Sequence, residues 1–98
     1  MSTVKPITNA VLKGIMTDAI VQRDACTTVN TDVAGVHLVN ESTQDLPAAF
    51  PTPHYGFLIV FAYGGTRLQL LFNYAGTCML VRTKWDGQYY PWRTITIN

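Results

Sequence analysis

Six carboxylates, two histidines and two cysteines are all that this 98-residue sequence can bring to acid–base, nucleophilic or metal chemistry. A reaction needs such groups assembled at one place, and their spacing does not assemble them. Five of the carboxylates are Asp, most of them beside turn or capping residues, where they serve the backbone. Glu41 is the only Glu. His37 falls in an apolar run and His54 in a proline-rich one, neither at a ligand's usual distance from the other or from a cysteine. A cysteine nucleophile would need a histidine brought to it from elsewhere in the chain. Glycoside cleavage would need Glu41 and an Asp about 5–10 Å apart in a groove. Tyr63-Gly64-Gly65 is a hairpin signal, not a phosphate loop. The residues point away from an enzyme and predict neither a metal nor a cofactor. A polysaccharide-processing enzyme is the remote alternative.

Binding has better material. Trp85, Tyr89, Tyr90 and Trp92 crowd into eight residues around Asp86-Gly87. Trp and Tyr offer large contact area and a polar handle, which enriches them at interfaces. Flat rings beside Asn, Gln and Asp also suit sugars, which present an apolar CH face ringed by hydroxyls. Trp85, Tyr89 and Tyr90, beside a hairpin tip, are therefore candidate contacts for a glycan or a protein partner. Cross-strand aromatic pairing is the purely structural alternative, worth roughly 0.2–1 kcal/mol per pair. Trp92 is assigned to the core or to a subunit interface. Nucleic acid is not expected, because seven basic residues are scattered against six acidic ones and phosphate binding takes a cluster.

The elements that must position these residues are predominantly strands. "LPAAFPTPHYG" (46–56) has three prolines in seven residues and reads as a rigid, extended lead-in. "FLIVFAY" (57–63) has a buried-strand composition, and Gly64-Gly65 supplies a two-residue hairpin. In "TRLQLLFN" (66–73), Leu68, Leu70 and Phe72 share one face; Arg67, Gln69 and Asn73 share the other, with Leu71 breaking the pattern. "YAG" (74–76) turns into "TCMLVRTKW" (77–85), and Asp86-Gly87 is a strong hairpin signal. "QYYPWRTITIN" (88–98) is the last strand, with Pro91 at an edge or in a bulge. "VHLVNES" (36–42) is a short strand. Ile7–Ala25 carries Leu12, Ile15, Met16, Ala19 and Ile20 at helical spacing, with Gly14 costing about 1 kcal/mol in a helix interior. The reading is mainly β: a small antiparallel β-meander sheet domain with a short N-terminal helical or extended segment.

Composition adds a constraint on partners. The chain is 48% hydrophobic and 13% charged, with a net charge of +1, against about 25% charged residues in an ordinary soluble domain. Apolar residues on both faces of the 57–63 strand favour a sheet covered twice. Self-association is the expectation, and a monomer coated in Ser, Thr and Asn the alternative. No run approaches the roughly 20 apolar residues of a membrane helix, and residues 1–20 lack the charged start and apolar stretch of a signal peptide. The thiols of Cys26 and Cys78 then read as reduced, small and buried, with a disulfide as the alternative.

Taken in order, "AGVHLV" (34–39), "DLP" (45–47), "GFLIV" (56–60), Leu68-Gln69-Leu70, "LVR" (80–82) and "DGQYYPWRTI" (86–95) resemble the pyocin-knob type domain of bacteriophage tail fibres and tail-like bacteriocin fibres. Val36-His37 stands where an aromatic residue is common. Val81 stands where Tyr often precedes the arginine, and Tyr89 replaces the first Trp of the closing pair. The resemblance implies a non-catalytic, homotrimeric virion component that meets a glycan or receptor on the bacterial surface. Arg82 and Trp92 carry over as architecture. It further implies an attachment or oligomerisation segment at 1–25 and a knob-like β domain at 26–98. The whole would be either a small separate virion protein attached to a larger fibre, tail or head component, or an excised knob. A small accessory or decoration protein of the tail, collar or capsid, binding only other virion proteins, is the alternative.

Overall fold

Strand-forming runs and turn residues alternate from Gly35 onward, and the computed structural model, which describes residues 21–96, has one antiparallel sheet and no helix among them. β1 (Gly35–Val39), β2 (Gly56–Tyr63), β3 (Thr66–Asn73) and β4 (Met79–Trp85) pair in chain order as a meander. The outer edge of β4 is shared by two short strands, β5 (Gln88–Tyr89) and β6 (Arg93–Thr94). Asp86 and Gly87 both take positive φ, 53° and 78°, closing the β4–β5 hairpin. At the β2–β3 tip the turn needs positive φ from Gly64 alone, at 56°.

Pro91 falls at a bulge on the edge, as its missing N–H leads one to expect: pairing with β4 breaks at Pro91-Trp92 and resumes at Arg93 one residue out of register, so the last strand is two pieces. Two expectations are corrected. The lead-in is folded rather than extended: the Phe50 amide donates to the Pro47 carbonyl (2.9 Å), and this turn drives the Phe50 ring into the core. The helical segment expected over Ile7–Ala25 does not include residues 21–25. There the backbone is extended along the free edge of β1, with Val36 N–H donating to the Val21 carbonyl and Arg23 N–H to the Val36 carbonyl, both at 2.8 Å. The rest of that segment lies outside the described residues. An unpaired strand edge presents donors and acceptors in a row, and residues 21–26 satisfy part of it.

Of the two faces of β3, the one bearing polar side chains is the covered one. Gln69, Leu71 and Asn73 lie on the covered face of the sheet and are buried, whereas Leu68 is exposed and Leu70 and Phe72 are half-buried. The covering layer is an irregular strap, residues 21–33, together with the 40–55 loop. Cys26, Val29 and Phe50 from these segments meet Val39, Leu58, Val60, Leu71 and Leu80 of the sheet to form the core. The opposite face is apolar on all four long strands. The register places Leu38 beside Phe57, Phe57 beside Phe72, and Phe72 beside Met79 in one row. Val36, Ile59, Leu70 and Val81 make a second row, and Phe61 beside Leu68 begins a third. No element among the described residues packs over that face.

Candidate functional site

The strap 29–33 has no regular partner, so its carbonyls need donors from elsewhere, and side chains of the sheet supply them residue by residue. Gln69 Nε2 donates to the carbonyls of Val29 (2.9 Å) and Thr31 (3.0 Å). Arg82 Nη2 donates to the Val29 carbonyl (3.0 Å) and to Asn30 Oδ1 (2.7 Å), and Arg82 Nε to Gln69 Oε1 (2.6 Å). Arg67 Nε donates to the Asp32 carbonyl (2.7 Å), and His37 Nε2 to the Val33 carbonyl (2.8 Å). Polar residues occupy the covered face because the layer above it is bare backbone rather than a second sheet or helix. Gln69 and Arg82 can work as a pair because they are direct cross-strand neighbours. Among the described residues no buried side-chain polar atom lacks a partner.

Arg82 is the hub of this network. Its guanidinium carbon lies 3.9 Å from the ring centre of Tyr89 and 4.3 Å from that of Trp92. Planar, delocalised and weakly hydrated, a guanidinium suits such stacking. Burial lowers its pKa from the ordinary arginine value, but arginine remains charged at any working pH. The interruption at Pro91 is what lets Trp92 reach Arg82, since regular pairing of 88–95 along β4 has been broken there.

At the rim, Lys84 Nζ donates to both carboxylate oxygens of Asp32 (3.0 and 2.9 Å), and the Tyr89 hydroxyl donates to Asp32 Oδ1 (3.2 Å). These contacts hold the Asp32 carboxyl below its ordinary value, the Lys84 hydrogen bond foremost, helped by the Tyr89 hydrogen bond and the charges of Lys84 and Arg67. Burial, followed by the neighbouring Asp32, pushes the Tyr89 hydroxyl up. A depressed carboxylate contributes stability above its unfolded pKa of about 3.9 and loses that contribution as pH falls through the folded value. Asp32→Asn is therefore expected to flatten the acid side of the stability profile, with wild type losing more stability than the variant between about pH 5 and pH 2. Urea midpoints measured across that range check it. Equal slopes for the two proteins would remove Asp32 from the acid response.

The aromatic candidates are divided by the fold. Tyr89 sits opposite Lys84 on the covered side, half-buried in the Arg82 stack and bonded to Asp32. Trp92 is half-buried against the core. Tyr90 is 49% exposed and Trp85 62% exposed. Trp85 alternates with Thr83, Val81 and Met79, which puts it on the uncovered apolar face. There it walls a shallow cleft with Asp86, Gly87, Gly65 and Thr66, where the β2–β3 and β4–β5 tips come side by side. Tyr63, 90% exposed, is at the same end of the sheet. Tyr63 and Asp32 were not singled out from the sequence. For Tyr63 the available signal was its place beside the Gly64-Gly65 turn, and for Asp32 there was none, since its partners are 52 and 57 residues away.

The remaining chemistry-bearing residues are dispersed. Glu41 Oε1 accepts the His54 amide (2.8 Å), and its other oxygen is 3.8 Å from His54 Nδ1. Cys26 and Cys78 are free thiols, and burial raises the pKa of both, so neither has the lowered pKa of an activated nucleophile. No group of three or more His, Cys, Asp or Glu among the described residues could hold a metal ion. No helix among the described residues is long and apolar enough to cross a membrane. No family model matches this chain, and neither curated proteins nor solved structures match it.

Proposed function

We propose that this chain is a non-catalytic virion component of the tail-fibre or tail-tip kind, a knob that recognises a saccharide on a bacterial surface. The observation that carries the saccharide reading is the hairpin-end cleft, which the exposed Trp85 lines together with Asp86 and Thr66. An open ring offers a stacking surface for a sugar's CH face, and the two oxygen-bearing groups can bond its hydroxyls. The virion context rests on the ordered residues that resemble the pyocin-knob type domain. The engagement of Arg82, Lys84, Asp32 and Glu41 in structural contacts favours binding over catalysis.

A second reading has its own observation. The uncovered apolar face, on which Trp85 also stands, favours an accessory protein that binds only other virion proteins. A glycan array followed by tryptophan fluorescence titration of any hit separates the two. Trp85→Ala is expected to weaken saccharide binding about tenfold or more, the scale of a stacking contact worth roughly 1–2 kcal/mol. Light scattering must give the variant the same mass as wild type, so that a change in assembly is not mistaken for a lost contact. An array without a hit, or undiminished binding by the variant, removes the saccharide and leaves the accessory reading.

A further inference from the structure

The strongest unspent feature is the apolar sheet face. Leu38 and Phe57 are each 48% exposed, Phe61 43% and Leu68 37%, and Ile59 and Leu70 lie half-buried between them. With an aromatic side chain presenting about 150–250 Å², the exposed part of this face is on the order of 500 Å². A monomer's largest apolar patch is roughly 300–600 Å², and such patches are often functional. We infer that this face is the surface on which copies of this chain assemble, sheet face against sheet face. The inference does not depend on the saccharide reading.

Size, charge and edges select the occupant. Four strands spaced about 4.8 Å apart and up to eight residues long make a face roughly 15 Å by 27 Å. A second sheet of the same dimensions matches it, and two such faces interdigitate at a spacing of about 10 Å. The paired rows are apolar side chains, with Thr83 at one end and Arg93 beside Val81 at the margin. With a net charge of +1, identical copies meet without appreciable repulsion. The patch alone supplies more than half of the roughly 800 Å² per partner of an ordinary interface. The edges are partly taken up already: residues 21–26 bond along part of β1, and β5 and β6 occupy part of the outer side of β4.

Sedimentation equilibrium or light scattering on the full chain tests this directly. Wild type is expected at a multiple of its 10.9 kDa mass, and Phe57→Asp at 10.9 kDa at the same concentration, with an unchanged β-sheet circular dichroism spectrum. If Phe57→Asp fails to fold, Phe61→Lys, nearer the hairpin end of β2, is read in the same way. A monomeric wild type overturns the inference whatever the variants do, and points to the chain's own N-terminal residues as the cover. A folded Phe57→Asp or Phe61→Lys that keeps the wild-type mass overturns it too, by placing the interface elsewhere. Saccharide binding is read separately, so failure of either proposal leaves the other standing.

Discussion

Replacing Arg82 with methionine is expected to destabilise the protein by about 3 kcal/mol, a large share of the roughly 5–15 kcal/mol that holds a domain folded. The side chain fills similar space, so the loss is not a cavity. Gln69 Oε1 and Asn30 Oδ1 each lose their donor, the Val29 carbonyl keeps only Gln69, and Tyr89 and Trp92 lose the cation between them. A hydrogen bond to a charged group is worth about 1.5–3 kcal/mol. The opposing term is the relief of burying a charge that has no carboxylate hydrogen-bonded to it. That relief is reduced because the guanidinium is stacked and keeps some solvent contact, at 9% residue exposure. The lost bonds therefore win. Urea denaturation measures the difference. Arg82→Lys should recover little of it, because an ammonium cannot bond three acceptors in a fork while lying flat between two rings. A loss below about 1 kcal/mol would mean that Arg82 contributes no more than a surface charge does.

Gly56→Ala is the second large effect, and here space decides. A Cβ built on Gly56 would lie 1.8 Å from the carbonyl oxygen of Phe72 and 2.9 Å from the Asn73 Cα, both backbone atoms of the partner strand. No rotamer relieves a clash with backbone, so β2 must move away from β3 where Gly56 pairs with Asn73. Asn73 also carries the β3–β4 turn, accepting the Cys78 amide on its Oδ1 and donating through Nδ2 to Thr77. A loss of about 3 kcal/mol or more is expected, which lowers Tm by roughly 12 °C or more in a domain of this size. Gly64→Ala is the comparison: its φ of +56° disfavours a side chain, but nothing lies within 4 Å. That substitution should cost only about 1 kcal/mol. A thermal melt of the two variants ranks the terms, and equal shifts would mean that the sheet relaxes around Gly56 at little cost.

The meander itself was legible in the sequence because its signals are local. Gly64-Gly65 and Asp86-Gly87 mark turns by backbone freedom, and Thr66–Asn73 matches β3 at both ends. Pro91 announced the break in the last strand through its missing N–H. Less legible was which face of the sheet would be covered. The alternation separates Leu68, Leu70 and Phe72 from Gln69 and Asn73 without saying which set the fold covers, and it covers the second. A hydrophobic pattern records which residues avoid water but not which partner removes them from it.

What the sequence by itself determined was the hairpin order from β2 to β4, the turn positions and the supply of apolar residues to both faces, all set by near neighbours along the chain. Only the tertiary structure decided that Gln69 and Arg82 form one buried unit, that Asp32 joins Lys84 and Tyr89, and that Trp85 and Tyr89 part to opposite sides. The physical reason is that a strap without regular structure must find donors for its carbonyls wherever the sheet carries them. Those contacts join residues about 40 to 57 positions apart. No local spacing encodes such a pairing, and it exists only once the strap lies across the strands.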